Sequence, residues 1–282
     1  MELERCWGVA QDGAVIEVAV HPSLVPELER RWPPVGLDRR FEPTEPIEGR
    51  VGLSNEWIIV PDREASGDSP PPVAWDLLEQ TLTLFSAQRL TRLVAVHSAA
   101  IAHNGRVMVV PARSEGGKST LSVAAHRAGA TVLSDEYTLI DPTNGLVTGW
   151  TRPVRRRRDE TEGEPDDEGE IERLDIAVPS DPMPVGLIAS VVYDPDATES
   201  SGTWQPISAA EATVELLAHT ICARTQPHDS LDAALHVTRT AYAVAGPRGD
   251  ADIAVRELLD LLDRQPKRSG QSSPSASHSA ST

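Results

Sequence analysis

One short glycine-containing segment has the residue types and spacing most typical of chemistry. Residues 112–119 read Ala-Arg-Ser-Glu-Gly-Gly-Lys-Ser, which fits the phosphate-loop pattern GxxxxGK[ST] if alanine replaces the first glycine. The backbone N–H groups of such a loop curl around an anion, and the helix that follows adds its partial positive charge. The segment predicts an ATP-binding site formed by Ala112, Arg113, Ser114, Glu115, Gly116, Gly117, Lys118, Ser119 and Thr120.

The pattern also assigns a chemical role to several of these residues. Lys118 supplies a positive charge for the β- and γ-phosphates, and the Ser119 hydroxyl is a ligand for Mg²⁺. Gly117 is expected where a Cβ atom would collide with a phosphate. The Glu115 carboxylate repels a triphosphate unless it points outward, and Arg113 is the residue that compensates it. ATP and Mg²⁺ are therefore the predicted ligands.

A pair of carboxylates, Asp135-Glu136, follows the strand-like segment 131–134. In phosphate-loop enzymes an acidic residue here holds Mg²⁺ or accepts the proton of the attacking hydroxyl. We expect the two to divide these catalytic roles, with Ser119, Asp135 and Glu136 around the metal. An acidic turn that caps a strand is the alternative, and it is the better interpretation for such a pair away from a phosphate loop.

The elements around the loop are those that must position it. Strands are predicted over 93–103 and 106–110, joined by the turn dipeptide Asn104-Gly105. A helix is predicted over 118–128, ending before Gly129, with strands over 131–134 and 137–141. The loop therefore lies between a strand and a helix, as a nucleotide-binding loop requires. His97 lies in the first strand, where an isolated histidine is more often a hydrogen-bonded core residue.

The rest of the chain predicts an α/β fold with a small β-rich region at its N-terminus. Because hairpin-linked strands lead into the loop, the main sheet must be mixed rather than parallel. A capping box at 208–211 begins a helix whose predicted apolar face is Val214, Leu217, Ala218 and Ile221. Further strands are predicted at 6–10, 14–20, 57–60, 185–193 and 242–245, and further helices at 73–90, 231–240 and 252–262.

These elements divide the chain into three parts. A β-rich region spans 1–72, an α/β domain spans 73–264, and the serine-rich tail 265–282 is predicted to be disordered. Within the domain, a charged segment over 155–172 is predicted to be a flexible loop. Its four arginines, 155–158, clamp an anionic substrate in one interpretation. In the other they are a solvated run that the nine acidic residues of 159–172 neutralise.

Composition excludes several classes of protein. The net charge of -17 argues against binding to nucleic acid or to an anionic membrane surface. The two cysteines, Cys6 and Cys222, make neither a disulfide framework nor a zinc site. No apolar run reaches the roughly 20 residues that span a bilayer, and the N-terminus has no secretory pattern. We therefore expect a cytoplasmic protein.

Several motifs taken together resemble the C-terminal catalytic domain of HPr kinase/phosphorylase and its relatives. The intervals from His97 to Lys118 and from Lys118 to Asp135 are in the register of that family. The resemblance is firm over 93–150, extends less closely over 73–262 and is weak or absent over 1–72. The segments that carry it are Val96-His97-Ser98-Ala99-Ala100, Asn104-Gly105, 110–120 and Leu133-Ser134-Asp135-Glu136.

The resemblance implies a fold and a reaction. The fold is a phosphate-loop domain of the phosphoenolpyruvate-carboxykinase type, with helices flanking a mixed sheet. The reaction is transfer of the γ-phosphoryl group of ATP to a serine hydroxyl. By matching position, Asp135 is the general base and His97 lies near the phosphates. The arginine-glycine signature of true HPr kinases is missing, so the resemblance is to the shorter relatives, whose partner is a protein or peptide with an acceptor serine.

Two other functions stay open at this stage. A non-catalytic module that senses nucleotide would explain the carboxylate of Glu115 in the loop. A small-molecule kinase of the carboxykinase type would use the same catalytic residues. Assembly into a homo-oligomer also stays open.

Overall fold

The structure, a computed structural model, describes part of the 282-residue chain. The described residues are 4–9, 15–20, 22, 25–26, 49–53, 58–60, 63–65, 83–84, 87–112, 117–150, 154–155, 173–174, 181–195, 197 and 204–266. Within these ranges no helix has the length and apolar character needed to cross a membrane.

Five strands near the N-terminus form one sheet, in the order β1-β2-β3-β4-β5. The first two strands are antiparallel, with Glu4 opposite Val20 and Val9 opposite Val15, which confirms the predicted hairpin. The strand predicted at 57–60 is also confirmed. The strands are β1 (Glu4–Val9), β2 (Val15–Val20), β3 (Gly49–Leu53), β4 (Ile58–Val60) and β5 (Arg63–Ala65).

The remaining strands and helices build a mixed sheet with helices around it, as predicted. The first elements are β6 (Val94–His103), β7 (Arg106–Pro111), α1 (Lys118–Arg127), β8 (Thr131–Ser134), β9 (Tyr137–Ile140) and β10 (Leu146–Gly149). A small pair follows, β11 (Val154–Arg155) and β12 (Arg173–Leu174). The last are β13 (Met183–Tyr193), β14 (Gln205–Pro206), α2 (Ala209–Ala218), α3 (Pro227–Thr238), β15 (Tyr242–Arg248) and α4 (Ala251–Arg264).

The hairpin of β6 and β7 forms because its turn residues accept the required backbone angles. Asn104 and Gly105 have φ of 49° and 78°, and a two-residue turn of this kind needs positive φ at both positions. The Asn104 side chain also donates to the Asp263 carboxylate on α4, at 3.0 and 3.1 Å. Pairing then runs without a break from His103–Arg106 to Ser98–Pro111.

Strand directions bring four strand ends to the same edge of the sheet. β13 runs parallel to both β7 and β15, while β6 is antiparallel to β7 and to β8. The carboxyl ends of β7, β8, β13 and β15 therefore point the same way. Ligands of open α/β sheets bind at this kind of edge. The four ends are Pro111, Ser134, Tyr193 and Arg248.

Both faces of the sheet are buried under helices. Successive residues of β7 alternate between two apolar clusters, because side chains of a strand point to opposite faces. Val107 and Val109 join the cluster that includes Leu216 of α2 and residues of α3. Met108 and Val110 join the cluster that contains Leu121 of α1 and Leu258 of α4. The helix that begins the candidate site is thus fixed to the sheet by its own apolar side.

The predicted apolar face of α2 is wrong in part. Leu217 and Ile221 are half-buried and pack against apolar clusters, but Ala218 is exposed and Val214 is 66% exposed. The buried residues of this helix are Ala212, Thr213 and Leu216. The buried face is shifted because the Thr213 hydroxyl lies 3.0 Å from the Thr238 hydroxyl of α3, so a polar contact faces inward. The capping box at Ser208 is confirmed.

Several other boundaries also differ from the predictions. α3 begins at Pro227, earlier than 231, and β15 continues to Arg248, beyond the predicted end at 245. Arg155, placed in the predicted charged loop, instead pairs with Arg173. Of the helix predicted over 73–90, the described residues 83–84 and 87–88 are helical. Residues 89 and 90 are described and are not helical, so that helix ends earlier than predicted. Residues 73–82 and 85–86, the charged segment 156–172 and the tail 267–282 lie outside the described residues.

Removal of the capping box should destabilise the domain measurably. Ser208 Oγ accepts from the Glu211 N–H at 3.2 Å, and the Ser208 N–H donates to Glu211 Oε2 at 2.7 Å. Loss of the hydroxyl in S208A should lower the free energy of unfolding by about 1 kcal/mol. Urea unfolding measures this, with R256A on the exposed side of α4 as the control. Equal stability of S208A and R256A would contradict the prediction.

Candidate functional site

The candidate site begins where the chain leaves β7. Pro111 is the last residue of that strand and pairs with Ser98, and Ala112 after it is buried. The chain is described again from Gly117, the N-cap of α1. Strand and helix thus flank the loop segment as predicted. Arg113, Ser114, Glu115 and Gly116, four of the predicted ATP-binding residues, lie outside the described residues.

Lys118 is a buried cation at the N-terminus of α1. Its side chain turns back and donates from Nζ to the carbonyl oxygen of Ala112 at 2.8 Å, so it bridges the two ends of the loop segment. Burial lowers the pKa of Lys118, and the negative charges of Glu136 and Asp135 act in the opposite direction. Helix dipole and ammonium group together concentrate positive charge at this point.

The acidic pair occupies a break between β8 and β9. Both strands pair with the same edge of β6, since Ser134 lies opposite Ala100 and Tyr137 lies opposite His97. The break is fixed by Ser134 Oγ, which accepts from the N–H groups of Glu136 and Tyr137 at 3.2 and 3.0 Å. Asp135 and Glu136 are therefore held at one place beside β6.

This placement brings Asp135 to the beginning of α1. Ser119 Oγ donates to Asp135 Oδ2 at 3.0 Å, and Asp135 is only 5% exposed. Two of the three predicted metal ligands are thus in contact. Glu136 is half-buried and its charge acts on Lys118. Thr120, also predicted to bind ATP, is exposed on the first turn of α1.

The donor set suits Mg²⁺ that arrives with a nucleotide. The described part of the chain contains no group of three or more His, Cys, Asp or Glu side chains that could hold a metal by itself. Mg²⁺ is commonly bound by one or two carboxylates together with substrate phosphates. The hydroxyl of Ser119 and the carboxylate of Asp135 are oxygen donors of that kind.

His97 is held neutral beside this cluster. Burial, the positive charge of Lys118 and the neighbouring His219 together lower its pKa to about 4. Its ring lies 5.8 Å from the Tyr137 ring and 6.5 Å from the His219 ring, between centroids. The neutral imidazole offers one N–H donor without adding positive charge.

β7 pairs with β6 only from Ser98 to His103, and the segment after α2 pairs with the same side of β6 before Ser98. The His97 N–H donates to the His219 carbonyl at 2.8 Å, and the Ile221 N–H donates to the Ala95 carbonyl at 2.9 Å. His219 Nε2 lies 3.5 Å from Glu215 Oε1. Sequence analysis missed His219, because it stands outside every motif and reaches the site through this pairing.

Arg248 is the second residue that sequence analysis missed. It ends β15, beyond the predicted end of that strand, and is only 5% exposed. Its Nη2 donates to the Gly117 carbonyl at 3.4 Å. Its Cζ lies 4.8 Å from the centre of the Tyr193 ring. Because β15 and β8 lie on opposite sides of β7 in the sheet, Arg248 and Asp135 approach the beginning of α1 from opposite sides.

The need for glycine at position 117 has a different origin from the one expected. A Cβ atom there would lie 1.7 Å from Arg248 Nη2, and the residue has φ of +76°. The guanidinium of Arg248 thus lies where the Cβ of another residue would point. Glycine suits position 117 because of its backbone angle, and a Cβ there would in addition force the flexible end of Arg248 to move.

Comparisons with known proteins identify no family for this chain. None of the protein-family models matches it, and neither does any curated protein. The resemblance to HPr kinase/phosphorylase stays a prediction that depends on the motif residues.

The contact between Gly117 and Arg248 can be tested by a double-mutant cycle. G117A should lower the free energy of unfolding by about 1–3 kcal/mol, because alanine is strained at this φ, and more because it displaces the guanidinium. In an R248A background only the strain remains, so the penalty should shrink. Thermal and urea unfolding of the four proteins measure the difference. An equal penalty in both backgrounds would contradict the contact.

The depressed pKa of His97 predicts a pH dependence of stability. Between about 6.5 and about 4 the unfolded chain binds a proton at this residue that the folded protein does not. Stability should therefore fall as the pH decreases through this window, and less steeply in H97N. The K118M variant should raise the pKa of His97, since the charge of Lys118 helps to lower it. NMR titration of the ring, assigned with H97N, measures both. A His97 that titrates near 6.5 would contradict the geometry.

Proposed function

We propose that the protein is an ATP-dependent kinase that transfers the γ-phosphoryl group to a serine hydroxyl of a protein or peptide. The proposal depends on one observation above all, the hydrogen bond of 3.0 Å between Ser119 Oγ and Asp135 Oδ2 beside Lys118. It brings together, from separate elements, a hydroxyl, a carboxylate and a buried cation. Those are the groups that phosphoryl transfer needs at one point.

The N-terminus of α1 is the proposed binding place for the phosphates. Backbone N–H groups of its first turn have no partner within the helix, and the helix dipole favours an anion there. Lys118 Nζ donates to the Ala112 carbonyl oxygen, which carries no net charge. A negatively charged phosphate oxygen can replace that carbonyl as the acceptor. The strand, loop segment and helix in sequence support a phosphate-loop fold of the phosphoenolpyruvate-carboxykinase type.

Asp135 is the proposed general base. Its carboxylate takes the proton of the acceptor serine while the serine oxygen forms a bond to the γ-phosphorus. The bond from that phosphorus to the bridging oxygen breaks, and ADP leaves with the electron pair. Asp135 is kept in place because Ser134 Oγ accepts hydrogen bonds from the N–H groups of the two residues that follow it, Glu136 and Tyr137.

Ser119, Asp135 and Glu136 are the residues that would hold Mg²⁺. When bound, the ion neutralises charge on the phosphate oxygens. Ser119 and Asp135 are already in contact, so little reorganisation of their side chains is needed. Glu136 lies near enough to act on Lys118, and its negative charge opposes the effect of burial on the pKa of that lysine.

His97 has a supporting role in this proposal. A neutral imidazole can donate one hydrogen bond to a phosphate or to the acceptor hydroxyl while leaving the base role to Asp135. Its low pKa keeps that state over the whole neutral range.

The nature of the acceptor rests on the family resemblance. The excess of acidic residues, with a net charge of -17, is in keeping with a protein or peptide substrate rather than nucleic acid. We place the reaction in the cytoplasm, where ATP is available.

Replacement of the base should separate binding from chemistry. D135N keeps the shape of the side chain but removes the proton acceptor, so the rate of phosphoryl transfer should fall by about 10²–10⁴-fold. Binding of ATP, measured by calorimetry with Mg²⁺, should survive. The assay uses radiolabelled ATP with a panel of serine peptides, and D260N on the exposed face of α4 is the matched control.

The outcomes distinguish the open functions. Full turnover in D135N would remove Asp135 as the base. Binding of ATP by the wild-type protein with no labelled product from peptides, free serine or short hydroxy acids would favour a nucleotide sensor. Labelling of the small hydroxy compounds alone would favour a small-molecule kinase.

A further inference from the structure

Arg248 is a buried cation that forms no ion pair within the described residues, and the negative charge of Asp250 acts on it only without direct contact. Its side chain donates to two carbonyl oxygens, that of Gly249 at 3.1 Å and that of Gly117 at 3.4 Å. Its Nε is buried and forms no hydrogen bond within the described part of the chain. The nearest acid along the chain, Asp250, uses Oδ1 to cap α4 by accepting from the Ile253 N–H at 3.0 Å.

Such an arrangement is unfavourable unless an anion completes it. A buried charge without an ion-pair partner is costly for a folded protein. The two hydrogen bonds of Arg248 to carbonyl oxygens and the charge of Asp250 replace only part of the hydration that the guanidinium loses. Burial accordingly lowers the pKa of Arg248. The guanidinium is nevertheless held in one orientation, since the Tyr193 ring lies against it at 4.8 Å. The protein thus keeps a buried, oriented cation whose Nε has no hydrogen-bond partner within the described part of the chain.

The position of the guanidinium identifies the kind of anion. Nη2 contacts Gly117, the N-cap of α1, and the next residue is the buried Lys118. Two buried cations therefore approach the same helix N-terminus, one from α1 and one from the end of β15. The carboxylates of Asp135 and Glu136 act on Lys118, whereas no ion pair of Arg248 exists in the described ranges. A ligand with several negative charges in a row suits this pair of cations best.

We propose that Arg248 is a further binding residue of the site and contacts the phosphate chain of the bound nucleotide. Its guanidinium is a planar group that can donate hydrogen bonds to two phosphate oxygens at once, and no second subunit is needed to supply it. Tyr193, which is 53% exposed, is a positioning residue for it. This inference rests on the proposed function, since it names a further contact to the same triphosphate.

A purely structural arginine would behave differently from a ligand-binding one. An arginine that only braces Gly117 would stabilise the protein without ligand, and its removal would lower the melting temperature. An arginine that waits for an anion leaves the ligand-free protein equally stable or more stable when it is replaced by an apolar side chain. Melting without ligand and affinity for an anion therefore give independent readouts.

The experiment uses the full chain with R248M, R248K and Y193L, and with R256M as the matched control on the exposed side of α4. Calorimetry measures binding of ATP, AMP and inorganic tripolyphosphate, and calorimetric melting measures the ligand-free proteins. R248M should bind ATP and tripolyphosphate about 10- to 100-fold more weakly. Its affinity for AMP should change less, because AMP lacks the outer phosphates. R248K should bind with intermediate affinity, Y193L should show a smaller loss, and R256M should match the wild-type protein.

The ligand-free melting temperature of R248M should equal or exceed that of the wild-type protein. A lower melting temperature with unchanged affinity for tripolyphosphate would overturn the inference in favour of a brace. Equal ATP affinity of R248M and the wild type would overturn it while leaving the proposed kinase intact. A wild-type protein that binds neither ATP nor tripolyphosphate would overturn both.

Discussion

The N-terminus of α1 combines a helix dipole with a lysine that has lost most of its contact with water. Lys118 is 7% exposed, and its ammonium group is held by the Ala112 carbonyl at one end of the loop segment. A charge in this position needs opposite charge nearby, and Asp135 and Glu136 supply it. The rest of the site is arranged around this requirement, since the loop, the acidic pair and the histidine all meet at this helix terminus.

The sheet brings opposite charge to Lys118 because one strand, β6, pairs with several neighbouring segments. β6 pairs with β7 as far as Pro111, and the segment around His219 then takes over the same edge. On its other edge β6 pairs first with β9 and then with β8, which leaves the acidic pair in the break between them. The pairing partner of β6 changes on both sides near His97 and Ser98, and these changes place His219 on one side and the acidic pair on the other. Buried apolar residues on both faces of the sheet keep these levels fixed.

Local signals in the sequence predict the part of the site that depends on local structure. Asn104-Gly105 predicts the hairpin because few other dipeptides accept positive φ twice, and Gly117-Lys118-Ser119 predicts the start of α1. The residues that arrive from afar carry no such signal. Arg248 reaches Gly117 across 131 positions of sequence, and its strand appeared to end earlier because Gly246 and Pro247 interrupt the apolar run.

The same limit explains the error on α2. Helical spacing fits a face of Val214, Leu217, Ala218 and Ile221 as well as one centred on Leu216. Only the neighbouring helix decides between them, because the Thr213 hydroxyl finds the Thr238 hydroxyl there. Helical periodicity predicts that α2 has a buried face. Which residues form that face depends on a contact with the neighbouring helix.

Position 117 shows how one residue can have two separate reasons to be glycine. The motif predicts glycine there to leave room for a phosphate, and the structure places the Arg248 guanidinium where a Cβ atom would point. An anion and a guanidinium are compatible neighbours, so the two reasons point to one site.

A crystal structure with Mg²⁺ and a non-hydrolysable ATP analogue would show whether the N-terminus of α1 binds phosphates. We expect the β- and γ-phosphates at this terminus, within hydrogen-bond distance of Lys118 Nζ, with Asp135 facing the γ-phosphate. An analogue bound elsewhere, or a protein that binds none and keeps Lys118 on the Ala112 carbonyl, would contradict it.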